Sequence, residues 1–274
     1  MLKPFLKWAG GKRQLLPELE KRLPENIQRY YEPFIGAGAL LLHLQPKNAV
    51  IGDTNVELLN CYRTIRDDVN ALIEKLTEYQ GQNNPDAFYT TRALDRDSET
   101  YGKLANVERA ARIIYLNKTC FNGLFRVNSK GHFNVPFGRY KNPTILEGSV
   151  LNAVSTYLNT ACVDIRLSDF ETTIADAGEG DFIYFDPPYD PISETAHFTS
   201  YAAGGFGRDA QIRLKETMDA LSNKGCRVLL SNAQTPFIED LYKEYCVESV
   251  QAARHINSNA SKRGKIGEVM VRNY

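Results

Sequence analysis

Asp181-Phe182-Ile183-Tyr184-Phe185-Asp186-Pro187-Pro188-Tyr189 reads as an apolar strand that ends in a carboxylate, two prolines and an aromatic ring. In open α/β sheets, ligands bind beyond the carboxyl ends of the strands. The two prolines fix φ, remove two N–H donors and free carbonyls to accept from something else. A carboxylate oxygen and a prolyl carbonyl pointing one way suit an exocyclic –NH2, which has two protons to donate. Accepting both draws electron density towards nitrogen and favours its pyramidalisation, so that the lone pair can attack an electrophilic methyl group. Tyr189 offers a flat face on which a base can stack. A plainer reading is a strand end with a capping Asp, a Pro-Pro stop and a surface Tyr. Asp-Pro alone is common, but four such residues in order after an apolar strand are not.

Outward from this stretch, strand and helix patterns alternate. Strands are expected at 30–35, 49–52, 162–167, 181–185, 226–231, 246–252 and 267–272, and helices at 11–23, from about 37, over 56–76, at 104–118 and at 209–223. Seven strands with intervening helices predict a doubly wound α/β sheet covered on both faces. Residues 119–145 differ. Asn122-Gly123, Ser129-Lys130-Gly131 and Pro136-Phe137-Gly138 are turn and hairpin signals set among aromatics. The expected organisation is a discontinuous catalytic domain, 1–54 and 146–274, interrupted by a helical and hairpin insertion over 55–145.

Three further segments bear on chemistry. Glu32-Pro33-Phe34-Ile35-Gly36-Ala37-Gly38-Ala39-Leu40-Leu41 has the form strand, glycine turn, helix. Gly36 and Gly38 allow positive φ and close approach of backbone to a ligand. Leu41 stands where a dinucleotide fingerprint has its third glycine, so a pyrophosphate site fits poorly. Asp53, after the next strand, is placed to accept from ribose hydroxyls. Phe5-Leu6-Lys7-Trp8-Ala9-Gly10-Gly11-Lys12 puts two glycines before a helix and Lys12 in its first turn, which suits an anion such as a methionine carboxylate. In Ser168-Asp169-Phe170, Asp169 either accepts from an adenine amino group or caps a helix, and Phe170 can pack on the ring.

Composition narrows the class. The chain has 274 residues, enough for one large α/β domain with an insertion. It has no apolar run long enough to cross a bilayer and no leader pattern, so a cytoplasmic protein with no membrane partner is expected. Five cysteines without C-x-x-C spacing and four scattered histidines predict reduced thiols and no metal site. Net charge is zero, yet 109–141 holds seven cations (Arg109, Arg112, Lys118, Arg126, Lys130, Arg139, Lys141) and no acid. Smaller acid-free clusters hold Lys3, Lys7, Lys12 and Arg13, and Arg254, Lys262, Arg263 and Lys265. Such clusters suggest a positive face for phosphates.

Taken together these motifs resemble the Dam family of DNA adenine methylases, in particular its DpnM-like members, from Phe5 to the C-terminus. The most specific pieces are 5–12, 32–38, Asn122-Gly123-Leu124, Phe133-Asn134-Val135-Pro136-Phe137-Gly138-Arg139-Tyr140 and Asp186-Pro187-Pro188-Tyr189. The resemblance implies a class I methyltransferase sheet and S-adenosyl-L-methionine as cofactor, with S-adenosylhomocysteine as product and no metal. It implies a pocket for that cofactor lined by Trp8, Lys12, Phe34, Gly36, Gly38, Asp53, Asp169, Phe170 and Asp186. It implies a flipped adenine held by Asp186, Pro187 and Tyr189, double-stranded GATC as substrate, and a bacterial or phage source with a restriction endonuclease as possible companion. The segments 122–126 and 136–140 correspond to the part that reads DNA. There Arg126 would pair with a guanine, Phe121, Asn122, Leu124 and Pro136 would contact or wedge the duplex, and Arg139 and Tyr140 complete the surface. Phe121 stands where relatives often carry Tyr, so a ring wedge survives without a phenolic hydrogen bond. Gly-rich 190–208 is expected to close over the extruded base.

Rival readings leave residues unexplained. A cytosine-N4 enzyme more often carries Ser in place of Asp186. A cytosine-C5 enzyme needs a thiolate, and the chain has no Pro-Cys. A nicotinamide dehydrogenase shares the glycine loop but not 186–189. A non-catalytic DNA-binding regulator would have no need of an intact Asp-Pro-Pro-Tyr.

Overall fold

The computed structural model describes residues 2–191, 206–253 and 265–274. In chain order the helices are α1 Leu16–Glu20, α2 Ala39–Leu44, α3 Val56–Asp67, α4 Val69–Tyr79, α5 Pro85–Ala93, α6 Ser98–Lys103, α7 Asn106–Thr119, α8 Gly148–Thr160, α9 Phe170–Thr173, α10 Arg208–Asn223 and α11 Pro236–Leu241. The strands are β1 Tyr30–Glu32, β2 Asn48–Asp53, β3 Cys162–Leu167, β4 Phe182–Phe185, β5 Arg227–Ala233, β6 Cys246–Ala253 and β7 Lys265–Arg272. All seven expected strands are present, in the order β3-β2-β1-β4-β5-β7-β6. β1 pairs in parallel with both β2 and β4, and β4 with β5, whereas β7 is antiparallel to β5 and β6. The strand order reverses between β1 and β4, the crevice where doubly wound sheets bind ligands.

By packing, the chain divides into two compact units. One comprises Met1–Gly11, Gly36–Lys47 and Asp53–Leu167; the other comprises Lys12–Ile35, Asn48–Gly52 and Ser168–Tyr274. The second holds the sheet core: Tyr31, Val50, Ile183, Phe185, Val228, Leu230, Val269 and Val271 pack with Leu214 and Met218 of α10 and Ile238 of α11. All four residues of β4 are buried, as suits a central strand covered on both faces. On α10 the buried positions Gln211, Leu214, Met218 and Leu221 recur at helical spacing.

The first unit is mainly helical. Residues 110–117 of α7 are all buried, including Arg112, which is only 1% exposed. Its guanidinium donates to the Thr91 and Arg92 carbonyls and pairs with Asp95 at 2.9 Å, so a buried charge ties α5 to α7. The short helices α5 and α6 and the longer α8 were not anticipated from the apolar pattern. Side-chain caps start the first two: Asn84 accepts from Ala87 N, and Asp97 from Glu99 N and Thr100 N.

Two expectations need correction. The helix expected over 11–23 is a 3-10 turn, Lys12–Gln14, followed by the five-residue α1. Pro17 cannot donate to residue 13 and its ring collides with that carbonyl, so a helix can only start afresh beside it. The strand expected over 30–35 stops at Glu32, because Pro33 has no N–H for the ladder. The closing segment expected over 190–208 lies largely outside the described residues, as do Arg254, Lys262 and Arg263.

Candidate active site

In the sheet unit, β4 delivers Asp186 one residue beyond its buried end. Lys12 Nζ lies 2.8 Å from Asp186 Oδ1, and Ser231 Oγ donates to the same oxygen at 3.0 Å. Among the described residues both contacts to this carboxylate fall on Oδ1. Burial pushes the Asp186 carboxyl above its ordinary value, and the adjacent Lys12 and Ser231 only partly counter this. The sequence placed Lys12 at a cofactor carboxylate; the structure places its ammonium on Asp186 and 4.5 Å from the Tyr189 ring centroid. Tyr189 donates its hydroxyl to Glu268 Oε2 at 2.8 Å. Burial, then the Asp186 charge, push the Tyr184 and Tyr189 phenols well up, so both are neutral donors.

The backbone of the loop is held from behind. Gln211 Nε2 donates to the Pro188 carbonyl at 2.9 Å, and Asn232 Nδ2 donates to Gln211 Oε1 at 3.0 Å. Asn232 Oδ1 accepts from Asp190 N, and Thr235 donates its hydroxyl to Asp190 Oδ2. Of the two prolines, Pro187 is buried and Pro188 exposed. Beside the loop, Phe34 stacks on Phe170 with centroids 5.5 Å apart and meets Phe185 edge-on. Asp169 accepts from Thr172 N at 2.8 Å and so caps α9. That is the capping alternative, and it sets Phe170 at the helix start.

The other unit carries the glycine turn. Gly36 and Gly38 have φ of +46° and +65°, and a Cβ on Gly36 would come within 2.9 Å of the Trp8 indole. Only glycine fits that close approach. Asp53 accepts from Gly36 N at 3.3 Å and Asn55 N at 2.9 Å, one on each oxygen, and burial raises its carboxyl above the usual range. The Thr54 backbone N–H also acts on this carboxylate; a carboxylate has about four lone-pair directions, so acceptor capacity remains.

The segment expected to read DNA also lies in this unit. Antiparallel bridges join Cys120 to Phe137 and Val127 to Phe133, and Phe121 N donates to the Pro136 carbonyl. Gly138 has no room for a side chain, since a Cβ would meet the Cys120 carbonyl at 2.6 Å. From this frame Phe121, Asn122, Arg126, Pro136 and Arg139 are exposed, while Leu124 and Tyr140 are half-buried. Asn122 and Arg139 both take left-handed backbone, at φ 56° and 54°. Arg126 Nε donates to Asn134 Oδ1 at 2.7 Å and its Nη2 to the Asn134 carbonyl at 3.5 Å, which steadies the guanidinium. The expected cationic stretch is thinner than its sequence. Arg109 pairs with Glu57, Arg112 with Asp95 and Lys118 with Glu147, acids from elsewhere in the chain. Lys3 also pairs with Glu147. The exposed cations of 109–141 are therefore Arg126, Lys130, Arg139 and Lys141.

The family model for D12 class N6 adenine-specific DNA methyltransferases matches residues 8–256. The chain belongs to that family. It is 48% identical, over its whole length and 96% of the relative, to the Type II methyltransferase M1.LlaDCHI of Lactococcus lactis subsp. cremoris. It is 40% identical to the Type II methyltransferase M.MjaIII of Methanocaldococcus jannaschii, covering 99% of it. Against the DNA adenine methylase of Escherichia coli K12 the identity is 32%, over 97% of this chain and 94% of the relative. The protein is thus an adenine-specific DNA methyltransferase on an α/β sheet of the class I kind, as the resemblance implied.

Within the methyltransferase, Lys12, Asp186 and Tyr189 come together, as do Phe34 and Phe170 in the same unit, and Trp8, Gly36 and Asp53 in the other. Sequence reasoning missed Ser231, Gln211, Asn232 and Glu268, which hold the Asp186–Asp190 loop. A signal existed for Ser231-Asn232, two polar residues closing the apolar run Val228-Leu229-Leu230. Among the described residues no helix is long and apolar enough to cross a membrane, and no group of His, Cys, Asp or Glu could hold a metal ion.

Proposed function

We propose that this methyltransferase acts on N6 of an adenine flipped out of double-stranded GATC, with S-adenosylmethionine as methyl donor. The observation that carries the reading is the half-buried Asp186 carboxylate whose Oδ1 is taken by Lys12 and Ser231, with the same Lys12 over the Tyr189 ring; in this reading Oδ2 and the Pro187 carbonyl are the acceptors. The amine donates one N–H to each of these oxygens. Its lone pair is thereby localised on nitrogen, and the proton lost on methylation is received at Oδ2.

S-adenosylmethionine, when bound, supplies an electrophilic methyl group. In the unit with the glycine turn, Asp53 retains acceptor capacity for a ribose diol, and Gly36 and Gly38, beside Trp8, allow close backbone approach; in the sheet unit, Phe34 and Phe170 offer apolar faces for a purine.

An adenine inside a stacked duplex cannot reach Asp186. Flipping costs a few kcal/mol, and stacking on Tyr189 returns roughly 1–3 kcal/mol. The assignment of GATC rests on the resemblance of 121–126 and 136–140 to the Dam reading segment, and on the exposure of Phe121, Asn122, Arg126 and Pro136. Arg126 pairs with guanine O6 and N7 through its terminal nitrogens. Division of labour follows the sequence reading, 55–145 for recognition and 1–54 with 146–274 for catalysis. "Type II" in the names of two relatives supports a companion restriction endonuclease.

The test is tritiated methyl transfer to three duplexes: GATC, GATC premethylated on both adenines, and GTAC. Label is expected on the first alone. Equal label on all three overturns the sequence preference, and label retained by Asp186→Ala overturns the site.

A further inference from the structure

We propose that Tyr184 and Ser231 form a two-hydroxyl relay that fixes the rotation of the Asp186 carboxylate and presents Oδ2 to the adenine amine, which makes Ser231 a positioning residue of methyl transfer. The proposal rests on the reading of Asp186 as the acceptor of the target amine.

The relay follows from strand register. β4 and β5 run parallel with Tyr184 opposite Leu229 and Phe185 opposite Leu230. One step further brings Ser231 beside Asp186. Side chains alternate along a strand, so Tyr184 and Asp186, two apart, share one face. Tyr184 Oη lies 3.0 Å from Ser231 Oγ, and Ser231 Oγ lies 3.0 Å from Asp186 Oδ1. Tyr184 and Ser231 are both wholly buried.

The direction of the relay is forced. A serine hydroxyl has one proton. An ionised carboxylate only accepts, so the Ser231 proton points at Oδ1, and Tyr184 must then donate to Ser231 Oγ. Two aligned hydroxyls polarise one another in a dry interior. Lys12 approaches Oδ1 as well, but through a long side chain from a three-residue turn. Ser231, one carbon from a central strand, sets direction where Lys12 supplies charge. The charged and titratable groups that act on Asp186 and Tyr184 are Lys12 from the 12–14 turn, Glu32 of β1, Tyr189 of the loop and Glu268 of β7. Of these only Tyr189 also meets the Ser231 hydroxyl, and its own proton goes to Glu268, so the donor to Ser231 remains Tyr184.

Full-length Ser231→Ala, Tyr184→Phe, the double variant and Asp186→Ala are compared with wild type. The measurements are single-turnover methyl transfer across pH, cofactor and duplex binding, and thermal melting. Loss of a hydrogen bond to a charged group predicts about a ten- to hundredfold lower rate in Ser231→Ala, with binding unchanged. The acid limb of its pH profile should move upward, since one donor favouring the carboxylate is gone. Tyr184→Phe should show the same changes in smaller degree, and the double variant should match Ser231→Ala. A filler role would lower the melting temperature and leave rate and acid limb in place; that result overturns the relay, as does full multiplication of the two single effects. Should Ser231→Ala fail to fold, Tyr184→Phe, which keeps the buried ring, decides by the same two readouts. Transfer retained by Asp186→Ala overturns the reading of the site itself. Transfer lost there, with Ser231→Ala unaltered, overturns the relay alone.

Discussion

The loop at 186–190, proposed for chemistry, and the segment at 120–140, proposed for reading DNA, are held by opposite means. In the loop the functional side chains are pinned. Asp186 is bound by Lys12 and Ser231, Tyr189 by Glu268, and the backbone by Gln211 and Asn232. In the reading segment it is the backbone that is pinned, by Cys120–Phe137, Val127–Phe133 and the tight contact at Gly138. There the side chains of Phe121, Asn122 and Arg139 reach outward. Chemistry at one nitrogen needs acceptors fixed to a fraction of an ångström before the substrate arrives. Reading a duplex needs a shaped frame whose exposed groups settle against base edges and phosphates. Burial is the instrument in the first region and steric closure of a short loop in the second.

Substitutions can break this contrast at either end. The largest effect is expected at Asp186. Asp186→Ala should lower transfer by about 10³-fold or more, since it removes the acceptor and proton recipient together, while duplex retention in a filter assay stays near wild type. Full duplex binding by Asp186→Ala beside lost duplex binding by Arg126→Ala would sharpen the division. Arg126→Ala should cost about 1–3 kcal/mol in discrimination, or roughly ten- to hundredfold in kcat/KM on GATC, and relax preference at one base pair only. Uniform weakening on every sequence would show that Arg126 meets phosphate instead.

Gln211→Leu tests the support behind the loop. It leaves the Pro188 carbonyl and Asn232 Nδ2 without their present partner, a loss of about 1–3 kcal/mol. A fall of several degrees in melting temperature is expected by calorimetry, with duplex affinity unmoved. Acid pH should affect only the catalytic region. In the proposed reading the ionised form of Asp186 is the acceptor, and burial raises its carboxyl. The transfer rate should therefore begin to fall, on acidification, at a higher pH than an ordinary carboxylate would give. Duplex binding by 120–140 should show no such limb. Least of all, Lys130→Ala should weaken binding a few-fold on all sequences and flatten the salt dependence by about one phosphate contact. A change in sequence preference would contradict that assignment.

The fold was largely legible because its signals are local. Apolar runs bounded by Gly, Pro and Asp gave each strand to within a few residues, and β5 runs two residues beyond the expected end at Ser231. Helix 11–23 was misread because apolar spacing outweighed Pro17, whose steric clash ends any helix that tries to pass through it. Helices α5 and α6 were missed because their short faces carry few apolar residues, and side-chain caps do much of the work of starting them.

Asp186-Pro187-Pro188-Tyr189, the glycine turn at 36–38 and the segment at 121–140 stand out in the chain alone as candidates. Each is contiguous, and its chemistry is written in residue types at fixed short spacing. Partner choice was not so written. An acid-free run from Arg109 to Lys141 looked like a positive face, but Glu57, Asp95 and Glu147 neutralise three of its cations across long stretches of sequence. Lys12 looked like a helix-end anion ligand and instead meets a carboxylate 174 positions further along. Ser231 acquires its place only when β4 and β5 align in parallel. Sequence spacing fixes which groups share one strand or turn; which buried charge meets which donor is decided when the sheet closes, because only then do desolvation and geometry select among distant partners.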